Sequence, residues 1–258
     1  MTTDVLKFEN VSLKFKDEII YEDLTFSVRA GEFLCILGPS GCGKSTSLRL
    51  MGNLIPADSG RVSVMGADSS EGWGKLAYVF QSPRLTPWRT ALGNVMLGME
   101  LRFTDKPKSE MRSTAERLLA LVGLQDDMKK YPAMLSGGER QRVSIARALS
   151  VEPEIILMDE PFSALDLNTR RRMRDEIVRI WQETGKTVIF VTHDVDEALT
   201  LANRVLLLSN KPTTVLETIK LDVPRPRDIE NSPELSEQKA HLITLFQTLE
   251  TNAKKQEN

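Results

Sequence analysis

Gly38-Pro39-Ser40-Gly41-Cys42-Gly43-Lys44-Ser45-Thr46 is the stretch that decides the fold of this chain. It fits the spacing G-x-x-x-x-G-K-[ST], with Gly38, Gly43, Lys44 and Ser45 at the fixed places. The apolar run before it, Phe33-Leu34-Cys35-Ile36-Leu37, predicts a buried strand, and residues 45–54 predict a helix. A backbone that leaves a strand at Gly38 and enters a helix near Lys44 turns consecutive N–H groups inward. Glycines let it curl tightly and approach an anion with no Cβ in the way. The helix N-terminus adds partial positive charge and unpaired donors. Lys44 is then expected on the β- and γ-phosphates of a nucleoside triphosphate, and the Ser45 hydroxyl on Mg2+.

The bulk numbers set bounds. The 258 residues suffice for a full core, and 41% hydrophobic with 27% charged content is ordinary for a soluble globular protein. A net charge of −2 gives no basic footprint for nucleic acid. The two cysteines, Cys35 and Cys42, fall on the expected strand and inside the phosphate loop. A disulfide there would distort the loop, so a reduced, cytosolic setting is expected. The first residues lack the basic and apolar regions of a signal peptide, and no apolar run approaches the ~20 residues needed to cross a bilayer.

Short alternating strands are expected at 6–8, 11–15 and 24–28, then the phosphate-loop strand, then 61–65 and 76–80. After Gln81 the texture turns helical. Met111, Ala115, Leu118 and Val122 recur at helical spacing, and Gly123 supplies a stop. Strands return at 155–158, 187–192 and 205–209, with helices between, which argues for a parallel sheet covered on both faces. The helical stretch is thus an insertion into an α/β core. Near the end, Val223-Pro224-Arg225-Pro226-Arg227-Asp228 reads as a linker. A short helix follows, with Ser232 as cap, Pro233 at its first position and Leu235, Leu242, Leu245, Phe246 and Leu249 on one side.

Two further stretches carry chemistry. Ile155-Ile156-Leu157-Met158-Asp159-Glu160 is an apolar strand ending in two acids, and ligands of open parallel sheets gather at the carboxyl ends of strands. Neighbouring strand residues point to opposite faces, so the two acids divide the work. Asp159 suits Mg2+, which prefers oxygen ligands, and Glu160 suits the attacking water as proton acceptor. Leu135-Ser136-Gly137-Gly138-Glu139-Arg140-Gln141-Arg142 opens a helix, with Ser136 and Glu139 spaced as a capping box. Two glycines in a first turn cost roughly 1 kcal/mol each against alanine, which makes sense if something must come close to that backbone. A second anion site on a chain that already holds one triphosphate is best explained if it closes over the nucleotide of another copy.

These stretches together resemble the ABC-type ATPases. Residues 135–142 look like that family's signature sequence and 38–46 like its Walker A loop. Gln81 matches the Q-loop glutamine and residues 155–160 match Walker B. Ser163-Ala164-Leu165-Asp166 matches the D-loop, and His193 in Val191-Thr192-His193-Asp194 the switch histidine. The resemblance runs from about residue 5 to 228. It implies an α/β fold: a P-loop NTPase core with a mostly parallel sheet, an N-terminal antiparallel β subdomain and an inserted helical subdomain. The ATPase domain is expected over 1–225, with its core at 1–84 and 154–225 and its helical subdomain at 85–153. The linker and C-terminal helix take up 226–258. It further implies ATP hydrolysis in a head-to-tail dimer, each ATP lying between Walker A of one subunit and the signature of the other.

Expected nucleotide contacts are Phe15, Gly38, Pro39, Ser40, Gly41, Cys42, Gly43, Lys44, Ser45 and Thr46, together with Ser136, Gly137, Gly138, Glu139 and Asp166. Ser45, Gln81 and Asp159 are the expected Mg2+ ligands, and Glu160, His193, Gln81 and Lys44 the catalytic set. Phe15 stands where the family often has a tyrosine stacked on adenine. Stacking survives the change and discriminates weakly between purines, so loose ATP over GTP selectivity is expected.

Within the family, neither a fused membrane domain nor a tandem ATPase is expected, and the stretch between the two Walker motifs leaves no room for a long coiled coil. An importer's separate ATPase subunit is the expectation, with a non-transport regulatory or scaffold ATPase as the alternative. Pro87-Trp88 soon after Gln81, and Val-Pro-Arg-Pro-Arg at 223–227, are similar to the nitrate/sulfonate/taurine importer group, which also serves bicarbonate and thiamine precursors. The implied partners are a second ATPase subunit (a homodimer is expected), membrane permease subunits and, indirectly, an extracytoplasmic solute-binding protein. The implied location is peripheral, on the cytoplasmic face of the plasma membrane. Arg170-Arg171-Arg172, with Asp175 and Glu176 four residues on, reads as a solvated helix face. A GTPase base-recognition motif begins at Asn210-Lys211 and fails at Thr213.

Overall fold

The computed structural model describes residues 3–256. Residues 1–2 and 257–258, the outermost positions of the expected domain and of the C-terminal segment, lie outside the described residues. In chain order the elements are β1 (Asp4–Phe15), β2 (Glu18–Arg29), β3 (Phe33–Leu37), α1 (Lys44–Met51), β4 (Ser59–Val64), β5 (Ala67–Asp68) and α2 (Ser69–Gly72). Next come β6 (Leu76–Val79), α3 (Ala91–Arg102), α4 (Lys108–Leu121), α5 (Gly137–Ser150), β7 (Ile155–Asp159) and α6 (Leu167–Thr184). The chain closes with β8 (Thr187–Thr192), α7 (Val195–Leu201), β9 (Arg204–Leu208), β10 (Val215–Lys220) and α8 (Pro233–Gln256). They fall into two compact units, Gly74–Lys186 and the segments on either side of it.

The flanking segments form the larger unit. Its first sheet is ordered β2-β1-β4-β5, with every pair antiparallel. Where two short strands are expected over 6–15, one 12-residue strand runs through, its register slipping between Phe8 and Val11. Asn10 takes a left-handed φ of 50° at that slip, so period-two alternation breaks without ending the strand. Phe8 stacks on Phe26 across the pair at 4.5 Å.

In the same unit β3 lies between β8 and β9, parallel to both, with β10 antiparallel at the edge. All five β3 residues are buried, as an unbroken apolar run flanked by parallel neighbours requires. The Glu32 carboxylate, at the start of β3, takes Nε and Nη2 of Arg204 at 2.7 and 2.9 Å, and Arg204 also donates to the Ser27 carbonyl at 2.6 Å. This buried fork ties β9 to the β2–β3 turn. α8 is not the short helix expected but runs 24 residues; it lays Leu235, Leu242 and Leu249 into the core, leaves Leu245 and Phe246 half-buried, and the Ser232 hydroxyl accepts from the Leu235 N–H at 3.4 Å.

The unit Gly74–Lys186 pairs β6 with β7 in parallel and packs α3, α4 and α5 together. Thr90 caps α3 by accepting from the Gly93 N–H at 3.2 Å. Met111, Ala115, Leu118 and Leu119 form the buried face of α4, and Gly123 ends it at φ 67°. Asn94, fully buried, donates to the carbonyls of Thr86, Arg89 and Thr90 and accepts from the Thr86 N–H at 2.7 Å. One amide thus shapes the loop that leads into α3. Arg171 and Arg172 lie exposed on α6.

Candidate functional site

In the larger unit, β3 and β8 run side by side with Leu37 opposite Thr192. The phosphate loop that follows Leu37 and the His193 that follows Thr192 therefore leave the same end of neighbouring parallel strands. Helix α1 begins at Lys44, one residue before the expected start, with Gly43 as its N-cap at φ 106°. A Cβ on Gly43 would also meet the Tyr21 hydroxyl at 2.9 Å and Ile20 Cγ2 at 3.0 Å, so backbone angle and space both demand glycine. Gly41 is left-handed too, at φ 80°, and its Cβ direction is open. Lys44 is only 5% exposed, and its Nζ donates to the carbonyls of Gly38 and Pro39 at 2.8 Å each. The ammonium is therefore held within the curl of the loop.

Two residues that sequence reasoning missed brace this loop from behind. The buried Tyr21 hydroxyl donates to the Gly43 carbonyl, and the buried Thr213 hydroxyl donates to the Cys42 carbonyl. Burial pushes the Tyr21 phenol far up, so it stays neutral and remains a donor. Cys42 turns its thiol inward: a Cβ on Gly38 would lie 3.0 Å from Cys42 Sγ. Burial raises that thiol as well, although Lys44 opposes the shift. Tyr21→Phe leaves the Gly43 carbonyl without its donor, at a cost of about 1–3 kcal/mol. We expect a lower Tm and weaker nucleotide binding together. An unchanged melting curve would show that the brace is dispensable.

In the unit Gly74–Lys186, β6 and β7 pair with Val79 opposite Met158, so Gln81 and Glu160 leave the same end of neighbouring strands. The Tyr78 hydroxyl donates to Asp159 Oδ2 at 3.2 Å. Gln81 Nε2 donates to the Ser163 hydroxyl at 3.0 Å, and that hydroxyl donates to the Glu160 carbonyl at 3.0 Å. Gln81 and Glu160 are thus linked through Ser163. Glu160 itself sits at φ 41°, a left-handed value that non-glycine residues take at a cost and that clusters at working sites. The loop after Gln81 is held from α5 by Arg147, which donates to the carbonyls of Arg84 and Pro83 at 3.0 and 2.7 Å.

The capping box at the head of α5 is complete. Ser136 Oγ accepts from the Glu139 N–H at 3.3 Å, and Glu139 Oε2 accepts from the Ser136 N–H at 2.6 Å. That backbone bond, helped by the Ser136 hydroxyl, lowers the Glu139 carboxyl below its usual range. A Cβ on Gly138 would strike Thr169 Cγ2 at 2.7 Å. The glycine therefore serves close packing of α5 on α6 within the chain. Asp166 caps α6, accepting from the N–H groups of Asn168 and Thr169 at 3.1 and 3.0 Å. Bonds from the Thr169 side chain and backbone hold its carboxyl below the usual range.

Residues 21–163 match the family described as ABC transporter. The chain belongs to that family.

Among ABC proteins, the chain is 41% identical over 232 residues to the bicarbonate transport ATP-binding protein CmpD of Synechocystis sp., covering 88% of this chain and 82% of that one. It is 40% identical over 235 residues to the nitrate import ATP-binding protein NrtD of Synechococcus elongatus, covering 89% and 86%. The dimeric ATP-binding cassette MJ0796, solved with ADP and Pi in a post-hydrolysis state, superposes with a TM-score of 0.73 at 33% identity. That match takes in 85% of this chain and all of MJ0796. The chain is therefore an ABC-family ATPase, with the α/β fold and mostly parallel strands that its sequence implied.

Each motif of this ABC ATPase has a definite place in its unit. Gly38, Pro39, Ser40, Gly41, Cys42, Gly43, Lys44, Ser45, Thr46 and His193 share one strand-end rim with the larger unit's parallel strands. Gln81, Asp159 and Glu160 share the other. Phe15 ends β1 and is 45% exposed, so it is no core residue. Among the described residues no helix is long and apolar enough to cross a membrane.

Proposed function

We propose that this ABC ATPase is the ATP-hydrolysing subunit of an importer for a small solute of the nitrate, sulfonate or taurine type, a group that also takes in bicarbonate. The observation that carries the reading is the near full-length likeness to bicarbonate and nitrate transport ATP-binding proteins. It favours transport over a regulatory or scaffold role.

The site residues take the following roles. The N–H groups of Gly38 to Thr46 and the Lys44 ammonium bind the phosphates, and Phe15 stacks on the base. Ser45, Gln81 and Asp159 offer oxygen donors only, which suits Mg2+. Among the described residues no group of three or more His, Cys, Asp or Glu side chains could hold a metal unaided. Held by Ser45, Gln81 and Asp159, Mg2+ would neutralise charge on the transferring phosphoryl. Glu160 accepts a proton from the attacking water, and His193 reaches the γ-phosphate. Ser136, Gly137, Gly138, Glu139 and Asp166 close over the nucleotide of a second copy.

ATP binding thus clamps two subunits together, and hydrolysis resets them. The movement reaches membrane permease subunits through Gln81 and the loop that carries Trp88, which is 77% exposed. The chain works at the cytoplasmic face of the membrane. Purification of the tagged chain from detergent-solubilised membranes should bring down an integral membrane permease in stoichiometric amount. Recovery from the soluble fraction alone, with no membrane subunit, would overturn the importer reading.

A further inference from the structure

The Val-Pro-Arg-Pro-Arg stretch at 223–227, so far only a mark of likeness to the importer group, has two arginines that make a dense set of bonds. Arg227 donates through Nη1 to the carbonyls of Leu199 and Ala202 at 2.8 and 2.6 Å. It also donates through Nη2 to Leu221 at 3.0 Å and through Nε to Val223 at 2.8 Å. Arg225 Nη2 donates to the Leu201 carbonyl. Leu199, Leu201 and Ala202 are the end of α7, whose last carbonyls have no partner within the helix. Two cations at that end also match the negative pole of the helix dipole.

The arrangement works against desolvation. Burial brings Arg225 down to about 10, with Arg227 beside it adding to the shift, and lowers Arg227 too. Both remain charged at neutral pH. Glu234 and Asp222 oppose the shift of Arg227, so the charge of the pair is partly balanced.

The other end of α7 shows what is being held. Asp194 caps it, accepting from the Glu197 N–H at 3.0 Å. Thr192 Oγ1 accepts from the Asp194 N–H at 3.0 Å and donates to the buried Glu197 Oε2 at 2.6 Å. His193 lies between Thr192 and Asp194, so both residues that flank it are bonded into the first turn of α7. The helix is 7 residues, about 10 Å long at 1.5 Å per residue. The peptide of His193 is thus held between the end of β8, where Thr192 pairs with Leu37, and the first turn of α7, whose far end the arginines hold. Lys239 on α8 adds a bond to Asp196 at 2.7 Å from outside.

We propose that Arg225 and Arg227 are positioning residues that fix His193 through α7, so that the stretch after the last strand sets the aim of the γ-phosphate contact. This rests on the role given to His193 above. The bland alternative is that the arginines only fasten the linker to the core.

A double-mutant cycle separates the two. Arg227→Ala is expected to lower ATP turnover about tenfold, a usual size for residues acting through an intervening element, with the KM for ATP changed less than about threefold. In a His193→Ala background the same change should cost less than about twofold, because the group it positions is gone. Equal losses in both backgrounds overturn the proposal. Normal turnover in His193→Ala alone overturns the role of His193 itself, and is distinguishable because Arg227 plays no part in that result.

If Arg227→Ala fails to fold, Arg227→Lys keeps the charge and loses the fork that spans four carbonyls. The chain has two histidines, 193 and 241, so their imidazole NMR signals are readily told apart. Arg227→Lys should shift or broaden His193 more than His241, which lies on α8 beside Glu234, a charge that also acts on Arg227. A response at His241 with His193 unmoved overturns the proposal.

Discussion

Replacing Glu160 by glutamine is expected to lower ATP turnover by about 10²–10⁴-fold, the contribution of a positioned general base. That is about 2.7–5.5 kcal/mol of barrier. Glutamine keeps the size and polarity of the side chain but cannot take a proton from water. ATP affinity should stay within a few-fold of the parent, because the phosphate loop is untouched. The backbone supports this choice of variant. Glu160 holds φ 41°, and its carbonyl accepts from the N–H and the hydroxyl of Ser163 at 3.2 and 3.0 Å, none of which depends on the carboxylate. With closure intact and reset blocked, the variant should accumulate as an ATP-bound dimer. Light scattering that finds only monomer at saturating Mg-ATP would sink the clamp. A loss of only a few-fold in turnover would mean that another group takes the proton.

The second large effect is at Lys44. Hydrogen bonds to charged groups contribute about 1.5–3 kcal/mol, so Lys44→Ala should weaken ATP binding by about 10-fold to 150-fold for each hydrogen bond to phosphate that it removes. The side chain is already gathered into the loop by the Gly38 and Pro39 carbonyls, so little ordering entropy opposes its approach to phosphate. The same bonds complicate the test, since alanine strands two buried carbonyls. Lys44→Met, which keeps the aliphatic stem, and a melting curve beside the titration separate a missing phosphate bond from a loosened loop. A folded variant that binds ATP as tightly as the parent would contradict the phosphate-loop assignment.

Local chemistry made much of this fold legible. The apolar run of β3, the glycines and lysine after it, and the capping box of Ser136 and Glu139 all act within a few residues of one another. β8 falls on Thr187–Thr192 as its unbroken apolar pattern predicts. What stayed hidden depends on residues distant in sequence. Tyr21 and Thr213, which brace Gly43 and Cys42, come from opposite ends of the chain, and no spacing rule reveals such a meeting. Tyr78 on Asp159 is the same kind of contact.

β10 was missed because an edge strand with one buried residue in six carries almost no periodic signal. The paired glycines after Ser136 pointed to a close approach. That the neighbour of Gly138 is Thr169 of the same chain needed the packing of α5 on α6 to be seen.

The division of the chain into an uninterrupted unit, Gly74–Lys186, and one made from both flanks has a consequence during synthesis. β3 takes its hydrogen bonds from β8 and β9, which emerge only after the entire intervening unit has left the ribosome. At about 5–20 residues per second that delay is on the order of 10 s. For that interval a wholly apolar strand has no permanent neighbours, while the later-made segment 74–186 is free to fold ahead of it. Nascent molecules therefore pass through a stage that cannot grip fuel and is prone to clump, and holdase chaperones would find their target in Phe33-Leu34-Cys35-Ile36-Leu37.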